Sequence, residues 1–302
     1  MQHALVLDRV TKRFGKFTAV DDLSLSIPTG SIYGFLGPNG AGKTTTIRMV
    51  MSIFYPDEGS ISVLGHPRAE DIKDRLGYLP EEKGLYKKMK AAEIVAYFGR
   101  LKGLSGAHAK RRAVELLERY GLPEWIDKKC ETLSKGMGQK VQLLGTLIHN
   151  PELVILDEPF SGLDPVNTEV MRNTILQLKR DGHTVIFSTH VMSQAEEICD
   201  YIFLINRGKK VLDGTLADIK ATAGDRGIRL DYDGDGAVLQ QLPGVRRVND
   251  AGKHAEIFLD DGVDPQQILA ALIGKVTIRR FDLSEPSLHE IFVRAVGGKT
   301  DE

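Results

Sequence analysis

Short apolar runs bounded by glycine and proline dominate the first part of the chain, up to residue 80. This pattern is typical of β-strands, except after residue 43, where apolar positions follow a helical spacing. The predicted strands lie at residues 5–10, 23–27, 32–36, 61–64 and 75–79, and the predicted helix lies at residues 44–52.

The pattern changes near residue 91 and again after residue 150. Apolar positions at helical spacing predict a helical insert over about residues 85–150. Short apolar strands then alternate with helices, which favours a mainly parallel sheet with helices on its faces, an α/β fold. The insert helices are expected at 91–103, 107–120 and 136–149, the later strands at 153–156, 184–188, 201–205 and 209–213, and the later helices at 165–180 and 192–199.

A domain boundary is predicted near residues 221–225, where small and polar residues follow one another. Residues 1–222 are expected to form the α/β domain. Beyond the boundary, short strand and helix patterns continue without a cluster of histidine, cysteine or paired carboxylates. Residues 225–302 are therefore predicted to form a small α+β domain that carries no catalytic group.

Composition narrows the functional classes. The 302 residues suggest about two domains, and the 42% hydrophobic and 27% charged fractions are ordinary for a globular protein. Because no apolar run is long enough to cross a membrane and the N-terminus lacks a signal-peptide pattern, we expect a cytoplasmic protein. A net charge of −1 does not favour nucleic-acid binding, and Cys130 and Cys199 are expected to be reduced thiols.

Residues 37–45 read GPNGAGKTT and fit the pattern G-x-x-x-x-G-K-[ST] of a phosphate-binding loop. A predicted strand precedes the loop and a predicted helix follows it, so backbone N–H groups would converge on a phosphate. Glycine lets the backbone approach without a Cβ clash. Lys43 can then reach the β- and γ-phosphates, and the Thr44 hydroxyl can bind Mg²⁺.

Two acids, Asp157 and Glu158, directly follow the predicted strand at 153–156. In open α/β sheets the ligand lies at the carboxyl ends of the strands, which is also where the phosphate loop lies. We therefore expect Asp157 to hold Mg²⁺ through water. Glu158 is expected to act as the general base that polarises the attacking water.

Over residues 3–220 the motifs, taken in order, resemble the nucleotide-binding subunit of an ATP-binding-cassette (ABC) transporter. Taken singly, only the Walker A motif is specific, whereas the ordered set of motifs is very specific. The matching segments are the adenine-stacking aromatic at Phe14, Walker A at 37–45, LSKGM at 133–137 in place of the LSGGQ signature, Walker B at 154–159, the D-loop at 161–164 and the switch histidine at His190.

The resemblance implies a P-loop NTPase of the ABC cassette type, with an antiparallel β subdomain and a helical insert, that hydrolyses ATP. In this family two copies sandwich ATP, so that the signature of one copy meets the γ-phosphate bound by the other. The implied catalytic residues are Glu158 and His190, and the implied metal ligands are Thr44, Glu81 and Asp157. The implied ATP-binding residues are Phe14, Gly37, Asn39, Gly40, Gly42, Lys43, Thr44, Thr45, Ser134 and Gly136.

Some positions depart from the family pattern and leave alternatives open. Lys135 and Met137 replace a glycine and the glutamine of LSGGQ, and Lys135 either adds positive charge near the phosphates or points into water. Glu81 stands where the family has the Q-loop glutamine, and a carboxylate there could still bind a hard cation. Phe17 is the alternative to Phe14 as the residue that stacks on adenine.

The segment PEEKGLY at 80–86, the LSKGM signature and the ending EPSLHEIF at 285–292 resemble one subgroup, the ATPase subunits of ABC-2-type exporters. This subgroup includes sodium extruders and drug exporters. The resemblance implies that an integral membrane permease docks near the Q-loop and that the chain lies at the inner face of the membrane. It also implies a regulatory or dimer-stabilising role for residues 225–302. The alternatives are a soluble ABC-type ATPase with a non-transport partner and a nucleotide-gated module without turnover.

Overall fold

The computed structural model describes residues 3–81, 84–222, 227–260, 262–284 and 286–297. Glu82 and Lys83 of the PEEKGLY segment, part of the predicted boundary (223–225) and Glu285 lie outside these ranges. The chain divides into two compact units, Met1–Leu216 and Ala217–Glu302. Within the described ranges, none of the helices combines the length and the apolar character that a membrane span requires.

The first unit contains most of the regular structure. Its strands are β1 (His3–Phe14), β2 (Phe17–Pro28), β3 (Ile32–Leu36), β4 (Glu58–Val63), β5 (Leu76–Leu79), β6 (Leu153–Asp157), β7 (Thr184–Thr189), β8 (Tyr201–Asn206) and β9 (Lys209–Thr215). Its helices are α1 (Lys43–Val50), α2 (Ala91–Leu101), α3 (Gly106–Arg119), α4 (Lys135–Leu147), α5 (Pro165–Arg180) and α6 (Met192–Ile198), with 3-10 helices at Ala69–Arg75, Pro123–Trp125 and Cys130–Thr132. Helix α7 (Leu216–Thr222) carries the chain across the division.

Strands β2, β1 and β4 form an antiparallel sheet in that order. β1 and β2 are longer than the predicted strands because their polar ends pair as well, as far as Phe14 opposite Phe17 at the turn. Many alternate residues of both strands are buried, as expected of a sheet with one face on a core. Both candidate adenine-stacking residues therefore lie beside one hairpin turn.

The main sheet has the strand order β5-β6-β7-β3-β8-β9, and its neighbours are parallel except for β8 and β9. Strands β3, β6 and β7 are buried along their whole length, which explains their continuous apolar runs. Their carboxyl ends lie side by side, with Leu36 opposite Thr189 and Asp157 opposite Ser188. The predicted α/β fold is confirmed, and the strand order brings the phosphate loop, the two acids and His190 to one edge.

Helices α2, α3 and α4 pack against one another within the predicted insert. They approach closely where glycine faces a bulky side chain, because a Cβ on Gly145 of α4 would lie 2.5 Å from Cδ2 of Phe98 in α2. Helix α2 ends at Leu101, before the predicted residue 103, since Gly103 adopts a left-handed φ of 88°.

The second unit forms a sheet with its own core. Its elements are β10 (Gly227–Asp233), a 3-10 helix (Gly236–Gln241), β11 (Val245–Asp250), β12 (His254–Leu259), α8 (Pro265–Leu272), β13 (Thr277–Ser284) and α9 (Leu288–Gly297). The antiparallel order β11-β12-β10-β13 matches the split β-α-β arrangement of ferredoxin-like domains, with a 3-10 helix in place of the first α-helix. Its core contains the fully buried side chains of Ile228, Leu230, Ile257 and Ile268.

Candidate functional site

The phosphate loop connects β3 to α1 at the carboxyl edge of the main sheet. Gly42 directly precedes α1 and has a φ of 109°, a conformation that favours glycine. A Cβ on Gly42 would lie 2.6 Å from the carbonyl oxygen of Ala19, and a Cβ on Gly37 would lie 2.2 Å from that of Ile205. The loop therefore needs glycine at both positions to pass its neighbouring backbone segments.

Lys43 is buried, with a side chain only 6% exposed. Its Nζ donates hydrogen bonds to the carbonyl oxygens of Gly37 at 2.8 Å and Pro38 at 3.3 Å. The ammonium group also lies 3.5 Å from Oε1 of Glu158, whose side chain is 9% exposed. A buried positive charge is thus held beside the loop and is compensated by a carboxylate.

Asp157 ends β6 and is fully buried. Its Oδ1 accepts a hydrogen bond of 2.5 Å from Oγ of Ser188 and a longer one of 3.5 Å from Oγ1 of Thr44. Within the described part of the chain, its Oδ2 has no hydrogen-bond partner. A buried carboxylate oxygen without a partner, beside a threonine hydroxyl, is a donor set suited to a hard divalent cation.

Glu158 follows Asp157 with a φ of 47°, which is uncommon for a residue other than glycine. Its backbone N–H donates to Oγ of Ser188 at 3.1 Å, and Nδ1 of His190 lies 3.1 Å from each of its carboxylate oxygens. With an ionised Glu158 carboxylate, which only accepts hydrogen bonds, Nδ1 of His190 would be the donor in both contacts. The contact joins a buried acid to an imidazole that is about half exposed.

A cavity of about 370 Å³ opens beside these groups, and most of the predicted loop residues line it. We call it the nucleotide-side cavity, after the ligand that the phosphate loop is expected to bind. Its lining residues are Phe17, Ala19, Asn39, Gly40, Gly42, Lys43, Thr44, Thr45, Glu81 and Glu158. Phe14 is not among them, because its ring packs edge-on against Phe54 with the centroids 5.5 Å apart. Both Phe14 and Phe17 are nevertheless exposed, at 45% and 65%. Glu81 and Phe17 therefore line the cavity together with the loop residues, whereas Phe14 lies outside the lining.

Ser134 and Gly136 lie at the start of α4 and do not line this cavity. The hydroxyl of Ser134 caps α4, since its Oγ accepts a hydrogen bond of 3.2 Å from the backbone N–H of Met137. Gly136 packs against the first turn of α5, where an added Cβ would lie 2.2 Å from Cγ of Asn167. The signature residues are therefore separate from the nucleotide-side cavity of their own chain.

The side chain of Lys135 lies across the D-loop. A Cβ added to Gly162 would lie 2.0 Å from Nζ of Lys135, so the ammonium group fills the space that this glycine leaves. From the sequence, Lys135 is expected either to add charge near the phosphates or to point into water. The contact with Gly162 belongs to neither of these alternatives. Lys135 thus joins the signature to the D-loop within one chain.

Ser188 is a further candidate site residue, and no sequence motif indicated it. Its hydroxyl donates to Asp157 and accepts from the backbone N–H of Glu158, so one side chain positions both acids. The sequence feature that could have indicated it is its position, because Ser188 is a hydroxyl residue at the end of a predicted buried strand and lies two residues before His190. Its partners become apparent only from the pairing of β6 with β7.

A second, largely apolar cavity of about 400 Å³ lies between the main sheet and the helical insert, and we call it the groove. Burial lowers the pKa of His149 in its lining, so the imidazole is neutral at neutral pH. Burial likewise raises the pKa of Tyr78. The lining residues are Met51, Leu76, Tyr78, Leu79, Pro80, Gly84, Phe98, Leu101, Lys102, Gln142, Gly145, Thr146 and His149. Because Glu81 follows Pro80, one short segment lines both the groove and the nucleotide-side cavity.

Comparison with known proteins gives two family matches. Residues 20–161 match the model described as ABC transporter, and residues 214–296 match the model described as ATP-binding protein DrrA1-3-like, C-terminal domain. The chain is 43% identical over 293 residues to the uncharacterized ABC transporter ATP-binding protein YhaQ of Bacillus subtilis (strain 168), covering 97% of this chain and 98% of that one. It is 34% identical over 297 residues to Nod factor export ATP-binding protein I of Burkholderia orbicola (strain AU 1054), covering 95% of each chain.

The fold comparison agrees with these matches. A solved structure described as the ATP binding subunit of an ABC transporter is 30% identical, with a TM-score of 0.65, covering 73% of this chain and 93% of the other. The predicted resemblance is therefore confirmed for the fold, for the ATPase family and for its relation to exporter subunits. The chain belongs to the family of ABC transporter ATP-binding proteins, and it carries a DrrA-like C-terminal domain.

Proposed function

We propose that this chain hydrolyses ATP with Mg²⁺ and so powers export by a separate ABC-2-type permease. One observation carries the proposal: a single sheet edge brings Lys43, Asp157, Glu158 and His190 into contact with one another or with the phosphate loop. Of these residues, Lys43 and Glu158 also line the cavity beside the loop. A relative named for Nod factor export supports export as the direction of transport. Selection of the transported substrate would rest with the permease.

The loop would bind the phosphates of ATP. Its backbone N–H groups and the start of α1 form the kind of nest that favours an anion. Lys43, which now donates to two loop carbonyls, would turn its protons to the β- and γ-phosphates. Gly37, Gly40 and Gly42 would let the backbone approach the phosphates, and Asn39 and Thr45, which line the same cavity, would also contact the nucleotide.

Glu158 would act as the general base, taking a proton from the attacking water. The Nδ1–H of His190 contacts both of its oxygens and so orients the carboxylate. The accessible imidazole of His190 would then also contact the γ-phosphate. Because Ser188 holds the backbone of Glu158, the base has little freedom to leave this position.

The oxygen donors at the end of β6 fit Mg²⁺. Oδ2 of Asp157 has no partner among the described residues, and Oγ1 of Thr44 is adjacent, so both would hold the ion directly or through water. Glu81 lines the same cavity and would add a third oxygen ligand. When bound, Mg²⁺ would neutralise the charge that develops on the γ-phosphate.

Ser134 and Gly136 would bind the γ-phosphate held by a second copy. They lie at the N-terminal end of the 13-residue helix α4, where free backbone N–H groups and the helix dipole favour an anion. Each copy would therefore supply half of each ATP site. The functional unit would be a dimer closed by ATP.

The groove is the place where the permease would dock. Its lining is apolar, and Leu101 at its edge is 65% exposed, which is the character of a surface that a partner helix covers. Through this contact the chain would lie at the cytoplasmic face of the membrane. The segment from Tyr78 to Glu81 would connect the docked permease with the nucleotide.

Hydrolysis and dimer formation by purified protein test the proposal. Wild-type protein should release phosphate from Mg·ATP, whereas Glu158→Gln should bind ATP, lose at least about 10²-fold in kcat and form a stable dimer in light scattering. Lys43→Ala should lose ATP binding, because the buried cation that meets the phosphates is removed. A wild-type chain without ATPase activity, or a Glu158→Gln variant that stays monomeric in saturating Mg·ATP, would contradict the proposal.

Separate substitutions decide which phenylalanine stacks on adenine. Phe14 is our predicted residue, and Phe17, which lines the cavity, is the alternative. Loss of an aromatic stack with a base costs about 1–3 kcal/mol, so Phe14→Ala should raise the Kd for ATP by about 5- to 150-fold while Phe17→Ala leaves it nearly unchanged. The reverse result, measured by titration with ATP, would assign the base to Phe17.

A further inference from the structure

Gln139 in α4 is 3% exposed, which is unusual for a glutamine. Its Nε2 donates a hydrogen bond of 2.8 Å to the carbonyl oxygen of Pro159, the residue directly after Glu158. Among the described residues, its Oε1 has no hydrogen-bond partner. A buried amide with an unsatisfied oxygen costs free energy that an apolar side chain would avoid. The donated bond to Pro159 is therefore what the glutamine provides at this position.

The backbone around Glu158 is held from several sides. Its N–H donates to Oγ of Ser188 at 3.1 Å, its carbonyl oxygen accepts from the N–H of Ser161 at 3.1 Å, and the next carbonyl accepts from Gln139. A residue other than glycine keeps a φ of 47° only where its surroundings impose it. Of these bonds, the one from Gln139 comes from the helical insert.

The same end of α4 makes two further contacts with the segment that follows Glu158. Gly136 lies against Asn167, and the ammonium group of Lys135 lies against Gly162. The side chain of Asn167 is itself fixed, because its Nδ2 donates to Oδ2 of Asp164 at 2.5 Å. The first turns of α4 and the segment from residue 159 to residue 167 therefore pack as one body.

We propose that Gln139 is a positioning residue for Glu158, and that α4 thereby links the signature end of the helix to the general base of its own chain. The inference rests on the proposed function. Ser134 and Gly136 would meet the nucleotide held by the second copy, while Gln139 on the same helix holds the carbonyl beside Glu158. A displacement of α4 by the second copy's nucleotide would thus move the base, so that binding at one site changes hydrolysis at the other.

The first test removes the hydrogen bond and keeps the length of the side chain. Gln139→Met lacks the donor, so the backbone beside Glu158 loses one support and kcat should fall by at least about tenfold. The Kd for ATP and the melting temperature should stay close to those of the wild type, because neither the phosphate loop nor the packing volume changes. Gln177→Met is the matched control, since Gln177 in α5 donates an amide hydrogen bond to Asp181, the residue directly after that helix, and its loss should leave kcat unchanged.

The second test uses a side chain whose donor depends on pH. Burial disfavours the charged form of a carboxyl group, and only the protonated form can donate to Pro159. The kcat of Gln139→Glu relative to wild type should therefore rise as pH falls. The same ratio for Gln139→Met should stay constant, and a merely structural role would not produce this difference.

Three outcomes would overturn the inference. The first is a kcat of Gln139→Met within about twofold of the wild-type value. The second is a loss of ATP affinity and of melting temperature in Gln139→Met that accompanies the loss of kcat. The third is a ratio of the kcat of Gln139→Glu to that of the wild type that does not change with pH. A wild-type chain that releases no phosphate would instead overturn the proposed function, so the two failures are distinguishable.

Discussion

At the scale of single residues, the site depends on side chains that each serve two partners. Ser188 donates to Asp157 and accepts from the N–H of Glu158, and Lys43 contacts both the phosphate loop and Glu158. Such shared contacts fix the acids relative to each other. A small change in one side chain therefore affects both acids at once.

Ser188→Ala should lower kcat by roughly tenfold or more, because both acids lose a hydrogen bond and a misplacement of about 1 Å can cost about a hundredfold in rate. The measurement is steady-state phosphate release with Mg·ATP. Ser31→Ala is the matched control, since it removes a hydroxyl that donates to the carbonyl of Pro28 far from the acids. The control should lose about 1 kcal/mol of stability and keep its kcat. Equal kcat losses in both variants would contradict the role of Ser188.

Sequence patterns predict the motif residues of the candidate site but not the residues that hold them in position. Lys43, Asp157 and Glu158 were predicted because the phosphate loop and the acids after a strand have local patterns. Ser188 and Gln139 have no such pattern, since their partners come from strand pairing and from the packing of α4. Which of the two exposed phenylalanines stacks on adenine stays a prediction.

At the scale of elements, α4 and α5 meet through glycine. Gly136 faces Asn167 so closely that an added Cβ would lie 2.2 Å from Cγ of Asn167, whereas a Cβ on Gly138 would lie 3.6 Å from Cδ1 of Leu85, an ordinary contact. Close packing against α5 therefore requires glycine at position 136, whereas no close contact requires it at position 138. Hydrophobic spacing predicted α4 itself but could not show which face of it meets α5.

Gly136→Ala should lower the melting temperature of the nucleotide-free protein, because overpacking costs about 1–3 kcal/mol. Gly138→Ala on the same helix should keep or raise it, since alanine favours a helix interior over glycine by about 0.5–1 kcal/mol. Adding Asn167→Ala to Gly136→Ala should recover most of the loss by removing the clash. Thermal unfolding followed by circular dichroism checks all three, and equal effects at both glycines would refute the contact.

At the scale of the whole molecule, each of the two units has a hydrophobic core of its own among the described residues. The core of the first unit includes Leu5, Phe35 and Ile155, and that of the second includes Leu230 and Ile257. Units with separate cores can unfold separately. The composition break near residue 221 indicated two domains, but the ferredoxin-like strand order of the second could not be read from its short strands, which have no distinctive motifs.

Leu230→Ala should lower only one of two unfolding transitions in differential scanning calorimetry, because a buried leucine truncated to alanine costs about 2–5 kcal/mol locally. Mg·ATP identifies the other transition, since saturation at 100 times Kd stabilises the unit that binds it by about 2.7 kcal/mol. The transition lowered by the substitution should be the one that nucleotide does not raise. A single transition that responds to both would show that the two units unfold together.

The strand order of the main sheet has a consequence for how the protein reaches its native state. β3 pairs with β7, whose first residue lies more than a hundred positions later in the chain, and β6 completes the edge beside β7. Contacts between distant segments form slowly, because the entropy of closing the intervening chain is lost before they form. We therefore expect the sheet edge that carries the phosphate loop and the two acids to be assembled late in folding. A nascent chain would then acquire the capacity to hold nucleotide only after its sheet is complete.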